Sequence, residues 1–361
     1  MALKDNAVRT GDRKTASRLP AMSVVVITPD SYTAIRKTVS HLRAQTRSGQ
    51  LELVIVAPSA AHLDPNKTEL REFCGFRIVE LGPIRSTGRA LAEGIRQATA
   101  PIVAYAEEHS YPEPGWAEAL IEAHRGSWAG VGAVLSNANP STMTSWAHLY
   151  TDFGPWVAPA EAAETVHLSA HHTAYKREVL LSFGALLDEL LEVDYVLNRE
   201  LQAKGYKLYL QAAARSYHLN CSRPGSLFWA EFHGGRLFGS ARATYERWSI
   251  FRRLLYIAGM PLIPLLRLWR VCAEINRPGR KRGLFPGILL PLLTSLAGHT
   301  LGEVIGYAMG AGDAAKRRTS VELCRHRHVI NQESNGGPGD VHGTQALVES
   351  SLWSPPPLCQ G

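Results

Sequence analysis

The chain has 361 residues, of which 45% are hydrophobic and 20% charged, and its formal net charge is +7. This length and composition provide ample apolar material for a core. The positive excess comes partly from basic segments at 252–282 and 316–328, and no nucleic-acid-binding motif accompanies them. We therefore exclude nucleic acid as a partner and expect this charge to meet membrane phosphate.

After a polar leader, the chain alternates between strand-like and helix-like patterns. β-branched runs such as SVVVI and LELVIV indicate buried strands, and apolar residues at helical spacing (Ile35, Val39 and Leu42) indicate a helix between them. Such alternation favours an α/β fold with a parallel, doubly wound sheet whose strand ends form the binding face. The predicted elements are strands at 23–27, 51–56, 76–80 and 102–105, and helices at 34–45 and 88–98.

Three polar side chains, Glu107, Glu108 and His109, directly follow the strand at 102–105. Two carboxylates and an imidazole at the carboxyl end of a strand can hold a divalent cation. The alternative is a solvated turn before the helix that begins again at Trp116. The upstream alternation of strands and helices favours the binding site.

Five segments between about residues 22 and 220 form an ordered series. They are SVVVITPDSYTAIRKTVSHLRAQT, LELVIVAPS, GRALAEGIRQATAPIVAYAEEH, PEPGWAEAL and LLEVDYVLNRELQAKGYKLYLQ. This series resembles the family 2 glycosyltransferases, which have the nucleotide-diphospho-sugar-binding GT-A fold. The resemblance implies transfer of a sugar from a nucleotide-diphosphate sugar to an acceptor, usually with inversion and usually with Mg²⁺ or Mn²⁺ at an acidic motif.

In this resemblance, Glu107, Glu108 and His109 stand where such enzymes commonly carry the aspartates that bind the metal. Carboxylate oxygens suit Mg²⁺ and Mn²⁺, which neutralise the departing diphosphate, and the imidazole of His109 shifts the preference toward Mn²⁺. His218 matches a family histidine near the metal. The resemblance thus implies Glu108, His109 and His218 as metal ligands. The alternatives are that His109 bonds a phosphate or the turn, and that His218 is structural.

The donor nucleotide is expected at the ends of the first strands. The strand at 51–56 ends in Ala57-Pro58-Ser59, where the family usually has an aspartate that reads the base. Arg85 and Arg89 are either clamps for the pyrophosphate or solvated surface arginines. Asp30 either contacts the base or ribose or caps a helix. The donor contacts that the resemblance implies are Thr28, Pro29, Asp30, Arg85, Arg89, Glu107, Glu108 and His172.

Two further segments are assigned to the sugar and acceptor side. We expect residues 130–156 to form a strand and then a long irregular segment that carries a pocket, unless its aromatic residues are ordinary core. His171 and His172 lie near the expected donor-sugar pocket. Because adjacent residues on a strand point to opposite faces, we expect only one of the two, assigned as His172, to contact a phosphate or sugar hydroxyl.

The general base of inverting members is an acidic residue at the start of a later helix, and here the matching segment is EVDYVL. A carboxylate at this place deprotonates the acceptor hydroxyl as it attacks the anomeric carbon. Asp194 aligns best with this role, and Glu192 is the reserve candidate. The alternative is that both acids only stabilise the helix N-terminus, by about 0.3–1 kcal/mol.

From Trp248 onward, apolar and basic segments alternate. Residues 254–266 form a run of about 13 apolar residues, which is short of the roughly 20 needed to span a bilayer and suits an interfacial segment. Residues 283–312 are apolar apart from His299 and Glu303, and they either span with tilt, lie flat or pack on the catalytic domain. The flanking arginines and lysines favour the anionic cytoplasmic leaflet.

The sequence therefore divides into a disordered leader (1–20), a GT-A catalytic domain (21–245), a helical membrane-associated segment (246–315) and a basic, then disordered tail (316–361). We predict a mostly parallel sheet and a glycosyltransferase at the cytoplasmic face of the plasma membrane. Its acceptor is predicted to be lipid-linked or a polysaccharide. The alternative is a degenerate GT-A protein that serves as a binding or scaffold subunit, which the missing base-reading aspartate motivates.

Overall fold

The computed structural model describes residues 8–10 and 19–330. Most of the predicted leader and the predicted tail after residue 330 lie outside the described residues. The strands are β1 (Val8–Thr10), β2 (Met22–Ile27), β3 (Leu51–Ala57), β4 (Gly75–Glu80), β5 (Ile102–Tyr105), β6 (Ser110–Pro112), β7 (Gly130–Asn137), β8 (Ala163–Thr165), β9 (Thr173–Lys176) and β10 (Leu208–His218). The helices are α1 (Tyr32–Arg43), α2 (Ala60–Leu63), α3 (Lys67–Leu70), α4 (Thr87–Gln97), α5 (Trp116–Ala123), α6 (Met143–Phe153), α7 (Arg177–Leu181), α8 (Leu187–Leu190), α9 (Asp194–Ala203), α10 (Pro224–Tyr245), α11 (Ile250–Ala258), α12 (Ile263–Ile275), α13 (Leu289–Met309) and α14 (Ala314–Leu323).

The strands join one mixed sheet in the order β1-β4-β3-β2-β5-β9-β7-β10-β6, with β8 paired to β10. The neighbours among β4, β3, β2 and β5 are parallel, as are β7 and β10. Strand β9 is antiparallel to both β5 and β7, and β6 is antiparallel to β10. Strand β1 lies within the leader that was predicted to be disordered, and it pairs antiparallel with β4.

The prediction of a mostly parallel sheet is therefore correct only for the half built from β2 to β5. Parallel neighbours need a crossover connection of a dozen or more residues. Only four residues separate β5 from β6, so β6 cannot return parallel beside β5 and pairs with β10 instead. His171 and His172 directly precede β9, and His218 is the last residue of β10. Because β9 and β10 run in opposite directions, the start of one and the end of the other both lie near the end of β5.

Alternating side chains of the central strands supply two cores. Val25 and Val54 face a layer that contains α4, α6 and α9, whereas Val24 and Leu53 face α1 and α5. This period of two is the pattern of strands covered on both faces. Residues of α10, α12, α13 and α14 join the first core. The C-terminal helices therefore continue the core of the sheet rather than forming a separate body.

The segment after β7 is helical, which corrects the prediction of a long irregular stretch. Thr142 caps α6 by accepting a hydrogen bond from the Ser145 backbone N–H at 3.2 Å. Nearly the whole helix is buried, so its sequence lacks the apolar and polar alternation that would identify a half-exposed helix.

The two longest helices, α10 and α13, pack at close range through glycines. A Cβ added at Gly235 would lie 2.1 Å from the backbone oxygen of His299, and one at Gly302 would lie 2.0 Å from that of Phe232. Only glycine allows this approach. The buried Glu303 of α13 accepts a hydrogen bond from Arg267 of α12 at 2.8 Å, which fixes α12 against the same pair.

Within the described residues, two regions meet the length and composition of membrane segments. Helix α13 is one, although 44% of its most apolar window is buried inside the protein. The other is the pair α11 and α12, which is bent by 65° at the break between them. The pair exposes large apolar side chains, described below.

Candidate active site

A cavity of about 520 Å³ lies between the carboxyl ends of the strands and the C-terminal helices. Glu107 and His218 line it from the sheet, Asp194 lines it from the start of α9, and Arg267, Arg270 and His299 line it from the C-terminal helices. Ligand sites in α/β sheets occur at this end of the strands. The cavity is therefore the place where the predicted site residues can be compared.

Glu107 is the centre of the site and is 1% exposed. Its Oε1 atom bonds His171 Nδ1 at 2.6 Å, and its Oε2 atom lies 3.1 Å from His172 Nε2 and 3.2 Å from His218 Nε2. Burial raises the pKa of this carboxyl, but the surrounding histidines, His109 first, outweigh burial and hold the pKa well below its usual range. Glu107 is therefore a carboxylate at neutral pH.

His171 and His172 both reach Glu107, which corrects the expectation that only one of them faces the site. They lie in a 3-10 turn, Ala170–His172, before β9 rather than on the strand. In this turn successive side chains do not alternate between two faces, so the two rings approach the two oxygens of one carboxylate. Although burial lowers it, the charge and hydrogen bond of Glu107 raise the pKa of His171 to about 9.

Glu108 contacts His109 at the ring nitrogen that is not turned toward His218. Its Oε1 atom accepts from His109 Nδ1 at 2.9 Å, and the other ring nitrogen of His109, Nε2, lies 3.1 Å from His218 Nε2. The geometry thus gives Glu107 the position near His109 and His218 that the sequence assigned to Glu108. Glu108 instead fixes the orientation of His109.

Two residues from the end of the described chain complete the site, and both escaped the sequence interpretation. Glu322 of α14 places Oε2 3.7 Å from His109 Nε2, and it is hydrogen-bonded to Arg325. Arg325 is 2% exposed and donates to Cys221 Sγ at 2.7 Å. Burial raises the pKa of Glu322, but Arg325 and Arg318 outweigh it and hold the pKa well below its usual range. The segment 316–328 was interpreted only as a basic tail, although a glutamate three residues before an arginine is a recognised helical pair.

Asp194 and Glu192 differ in what their carboxylates contact. Glu192 Oε2 accepts from the Gly88 backbone N–H at 2.9 Å and from the Ser86 hydroxyl, so it caps α4. Within residues 19–330, the Asp194 carboxylate makes no hydrogen bond and no ion pair. Asp194 is the first residue of α9 and lines the cavity. Of the two candidates, Asp194 is thus free to accept a proton.

The remaining residues predicted to contact the donor nucleotide lie at two positions, after β2 and around the start of α4. Thr28, Pro29 and Asp30 follow β2, and the Thr28 hydroxyl and the Asp30 carboxylate are used locally, in bonds to Ser31. Arg85 and Arg89 are exposed and do not line the cavity. The arginines that line the cavity are Arg267, Arg270, Arg318 and Arg325. The positions of the strand ends could not predict these four arginines, because they lie more than a hundred residues after β5 in the sequence.

A second group, His148, Asp152 and Glu231, lies deeper in the helical layer. His148 Nδ1 accepts from the Cys221 backbone N–H at 3.0 Å, so a neutral His148 carries its proton on Nε2, facing Asp152 at 3.6 Å. That nitrogen has no lone pair for a metal. Burial raises the pKa of both Asp152 and Glu231, which favours a protonated carboxyl pair rather than a cation site.

The sequence of residues 23–182 matches the family model described as glycosyl transferase family 2. The chain carries a family 2 glycosyltransferase domain. The matched range includes Glu107, Glu108, His109, His171 and His172, which lie on the sheet side of the cavity. Comparison with curated proteins found no match.

Several solved structures are similar in fold to this glycosyltransferase. The mannosyltransferase PcManGT from Pyrobaculum calidifontis, solved with GDP-Man and Mn2+, is 17% identical over 83% of this chain and 78% of its own, with a TM-score of 0.42. S. aureus TarS 1-349 is 14% identical over 80% of this chain and 91% of its own, with a TM-score of 0.41. The assignment to the family rests on the sequence match.

Proposed function

We propose that the protein transfers a sugar, with inversion, from a nucleotide-diphosphate sugar to a lipid-linked acceptor at a membrane surface, assisted by a divalent cation. The observation that carries the proposal is the cavity itself. Its lining includes Glu107 of the buried cluster, Asp194 at the start of α9, and one face of α12, a helix that also has exposed apolar side chains. The residues that we assign to the donor phosphates, to the base and to the acceptor side therefore line the same cavity.

Asp194 is assigned as the general base. Inverting transfer needs one carboxylate that takes the proton of the acceptor hydroxyl while that oxygen attacks the anomeric carbon. The Asp194 carboxylate lines the cavity without a competing partner, whereas Glu192 is held by Gly88 and Ser86. We therefore assign Glu192 to capping the N-terminus of α4, and Asp194 to accepting the proton of the acceptor hydroxyl.

The residues at the sheet side fit a divalent cation. Glu107 Oε2 is buried without a hydrogen bond, and the nitrogens of His109 and His218 face it. A cation bound there would neutralise the charge of the departing nucleoside diphosphate. Arg325 and Arg318 line the same cavity and are assigned to the phosphates, because guanidinium groups bind phosphate oxygens in pairs. Thr28, Pro29 and Asp30 remain our assignment for the nucleoside.

Helix α12 supports a lipid-linked acceptor, because its two faces differ. Arg267, Arg270, Val271 and Glu274 line the cavity. Leu265, Leu266 and Trp269, on another face, are between 58% and 69% exposed. A lipid held along α12 would place its tail on the apolar face and an anionic head beside Arg270. A polysaccharide acceptor would need neither.

The same apolar face continues onto α11, where Ile250, Phe251, Leu254 and Leu255 are exposed. We define the apolar surface as these four residues together with Leu262, Leu265, Leu266 and Trp269. Its two helices are short and meet at a bend of 65°. This geometry suits a segment that lies in the membrane–water interface rather than one that crosses the bilayer. We therefore propose docking on the cytoplasmic leaflet, where Arg252, Arg270 and Arg277 would meet anionic lipid. Helix α13 packs on α10 in this arrangement.

The test measures nucleoside diphosphate release from a panel of UDP-, GDP- and TDP-sugars, with and without vesicles of bacterial membrane lipid. We expect release from one nucleotide class that increases with vesicles, and transfer of label from that sugar into lipid. Release without label in lipid would exclude the lipid acceptor. Binding of a nucleotide without any turnover would instead identify a binding subunit that has lost catalysis.

A further inference from the structure

Four polar side-chain groups that line the cavity make no hydrogen bond with any described residue. They are the indole of Trp156, the imidazole of His167, the hydroxyl of Ser169 and the carboxylate of Asp194. Trp156 and Ser169 are only 7% and 6% exposed, and polar groups this deeply buried normally have a partner. The fold thus leaves these four groups to a ligand in the cavity.

Trp156 and His167 form a stacked aromatic pair. Their ring centroids lie 5.5 Å apart, and the ring planes meet at 27°. Burial lowers the pKa of His167, although the charge of Asp194 raises it in part, so the ring is neutral at pH 7 and close to the general base. A neutral imidazole has one donor and one acceptor nitrogen. The pair therefore combines a flat apolar surface with hydrogen-bonding groups for hydroxyls.

Asn198 joins the segment that carries His167 and Ser169 to the helix that begins at Asp194. It lies on α9 and is 1% exposed. Its Oδ1 atom accepts from the Leu168 backbone N–H at 3.0 Å, and its Nδ2 atom donates to the Leu168 carbonyl at 2.8 Å and to the Asp194 carbonyl at 2.7 Å. Because His167 and Ser169 flank Leu168, this one amide holds both of them beside Asp194.

Arg280 fixes the turn that carries Trp156. Its buried guanidinium donates to the carbonyl oxygens of Gly154 at 2.8 Å and Val157 at 2.6 Å, on either side of Trp156. Its charge is paired at 2.8 Å with Glu274 of α12, which also lines the cavity. Two buried polar side chains, Arg280 and Asn198, thus hold the unpaired groups in place, as a preorganised binding site requires.

We propose that Trp156, His167 and Ser169 form a subsite for a pyranose ring of the acceptor, which places the hydroxyl to be glycosylated beside Asp194. The stacked pair suits the C–H face of such a ring, and the donors and acceptors around it suit several hydroxyl groups. A lipid alcohol or a lipid phosphate without a sugar has neither feature. The subsite rests on the proposed function and deepens it, because it requires a lipid-linked acceptor that already carries a sugar.

The role of Asp194 indicates that this sugar belongs to the acceptor. Transfer forms the bond between the acceptor oxygen and the anomeric carbon while the bond from that carbon to the diphosphate oxygen breaks, and the hydroxyl proton passes to Asp194. The groups that surround Asp194 therefore contact the ring that bears this hydroxyl. The donor phosphates are assigned elsewhere in the cavity, to Arg318 and Arg325.

The first measurement compares acceptors that share one tail. The full chain receives the nucleotide sugar that the release assay identifies, together with octyl pyranosides of glucose, galactose, mannose or N-acetylglucosamine, or with octyl phosphate or octanol. We expect at least one pyranoside to raise the initial rate of nucleoside diphosphate release about 10-fold or more over octanol, with an octyl disaccharide as the product. Equal stimulation by octyl phosphate or octanol would overturn the proposal.

Variants at Trp156 separate the ring face from the N–H group. Trp156→Phe keeps an aromatic face but removes the donor, so the KM of the pyranoside should rise about 3-fold. Trp156→Leu removes both and should raise that KM about 10-fold or more. Trp128→Phe is the matched control, because Trp128 is also stacked, on Tyr209 with centroids 4.8 Å apart, and does not line the cavity. Equal KM values in all three variants would overturn the proposal, as would a rise confined to the KM of the donor, which would assign the subsite to the donor sugar.

A binding measurement separates the subsite from the proposed function. Saturation-transfer NMR with methyl pyranosides of the same four sugars detects contact with the protein without turnover. We expect signals from at least one pyranoside that are lost in Trp156→Leu and persist in Trp128→Phe. Such binding to a protein that releases no nucleotide would retain the subsite and refute the proposed function. Neither binding nor stimulation by any of the four sugars would overturn the subsite and leave transfer to another lipid acceptor intact.

Discussion

The candidate active site and the apolar surface depart from ordinary burial in opposite directions. At the site, Glu107, His109 and His218 are at most 2% exposed, although charged and polar groups are normally found in water. On α11 and α12, Phe251 and Trp269 are 80% and 69% exposed, although large apolar groups are normally buried. Buried polar groups and exposed apolar patches are the informative exceptions in a folded protein.

Under the proposed function, each region is completed by a partner of the opposite character. Among the described residues, Glu107 Oε2 has no hydrogen-bond partner at the buried site, and a cation bound there would supply one. The apolar surface lacks a nonpolar neighbour, which acyl chains would supply. Helix α12 joins the two regions, because one of its faces lines the cavity and another belongs to the apolar surface.

The largest expected effect is on chemistry at the buried site. Asp194→Asn keeps the shape of the side chain but cannot accept a proton, so turnover should fall by about 10²- to 10⁴-fold, while metal and nucleotide binding persist. Initial rates of nucleotide release measure this. Asp188→Asn is the control, because the Asp188 carboxylate lies 2.6 Å from Arg96 and does not line the cavity. Full activity of Asp194→Asn would transfer the role of base to another group.

The next effect is on the apolar surface. Leu266→Glu replaces an apolar contact with lipid by a charge, and loss of a buried leucine costs about 1.5–3 kcal/mol. Cosedimentation with anionic vesicles should therefore weaken by about 10- to 100-fold. Leu186→Glu, in a turn before α8 and equally exposed, should leave vesicle binding unchanged. If both variants bind vesicles alike, the apolar surface does not contact lipid.

A third prediction concerns the packing that holds the two regions together. Gly302→Ala places a methyl group against the backbone oxygen of Phe232, and α10 and α13 must separate to admit it. We expect a loss of about 3 kcal/mol in the free energy of unfolding, measured by urea denaturation. Gly225→Ala is the control, because no atom lies within 4 Å of the added carbon there. Equal stability of the two variants would show that the helices are not in close contact.

The smallest effect is on the link between α9, α10 and α11. Glu246 accepts from Tyr195, Trp248, Arg242 and Arg252. Burial raises the pKa of Glu246, but these bonds outweigh it and lower the pKa to about 2 from an ordinary 4.5. The stability from this group is present above pH 4.5 and is lost as the pH falls through about 2.

Glu246→Gln tests that link. Because the carboxylate is partly exposed and screened by solvent, we expect a loss of about 1 kcal/mol at pH 7. Acid titration of thermal stability should show that the difference between variant and unmodified protein disappears toward pH 2. A difference that persists at low pH would assign the effect to packing rather than charge.

The sequence predicted those parts of the fold that depend on local pattern. The strand at 102–105 was placed without error, and β2, β3 and β4 each differ from the prediction by one residue. Their alternation and flanking turn residues are encoded within a few positions. Helix α6 was missed because burial on all sides removes its periodicity.

The sequence indicated only part of the cavity lining, for a related reason. Glu107, Glu108 and His109 follow a recognisable strand and so could be found. That Glu107 contacts His218 while Glu108 contacts His109 depends on side-chain orientation, which spacing does not encode. Glu322 and Arg325 reach the site through the packing of α10, α13 and α14, and no local pattern records a contact of that range.

The contact of Glu322 and Arg325 with the site has a consequence for folding during translation. These residues leave the ribosome more than two hundred positions after Glu107. At cellular rates of synthesis, the sheet is complete on the order of ten seconds before α14 is available. A nascent chain in that interval has the strands of a sugar transferase but not the arginine that closes its cavity. The helices that carry the apolar surface emerge first, so the cavity is completed only after α11 and α12 have been translated.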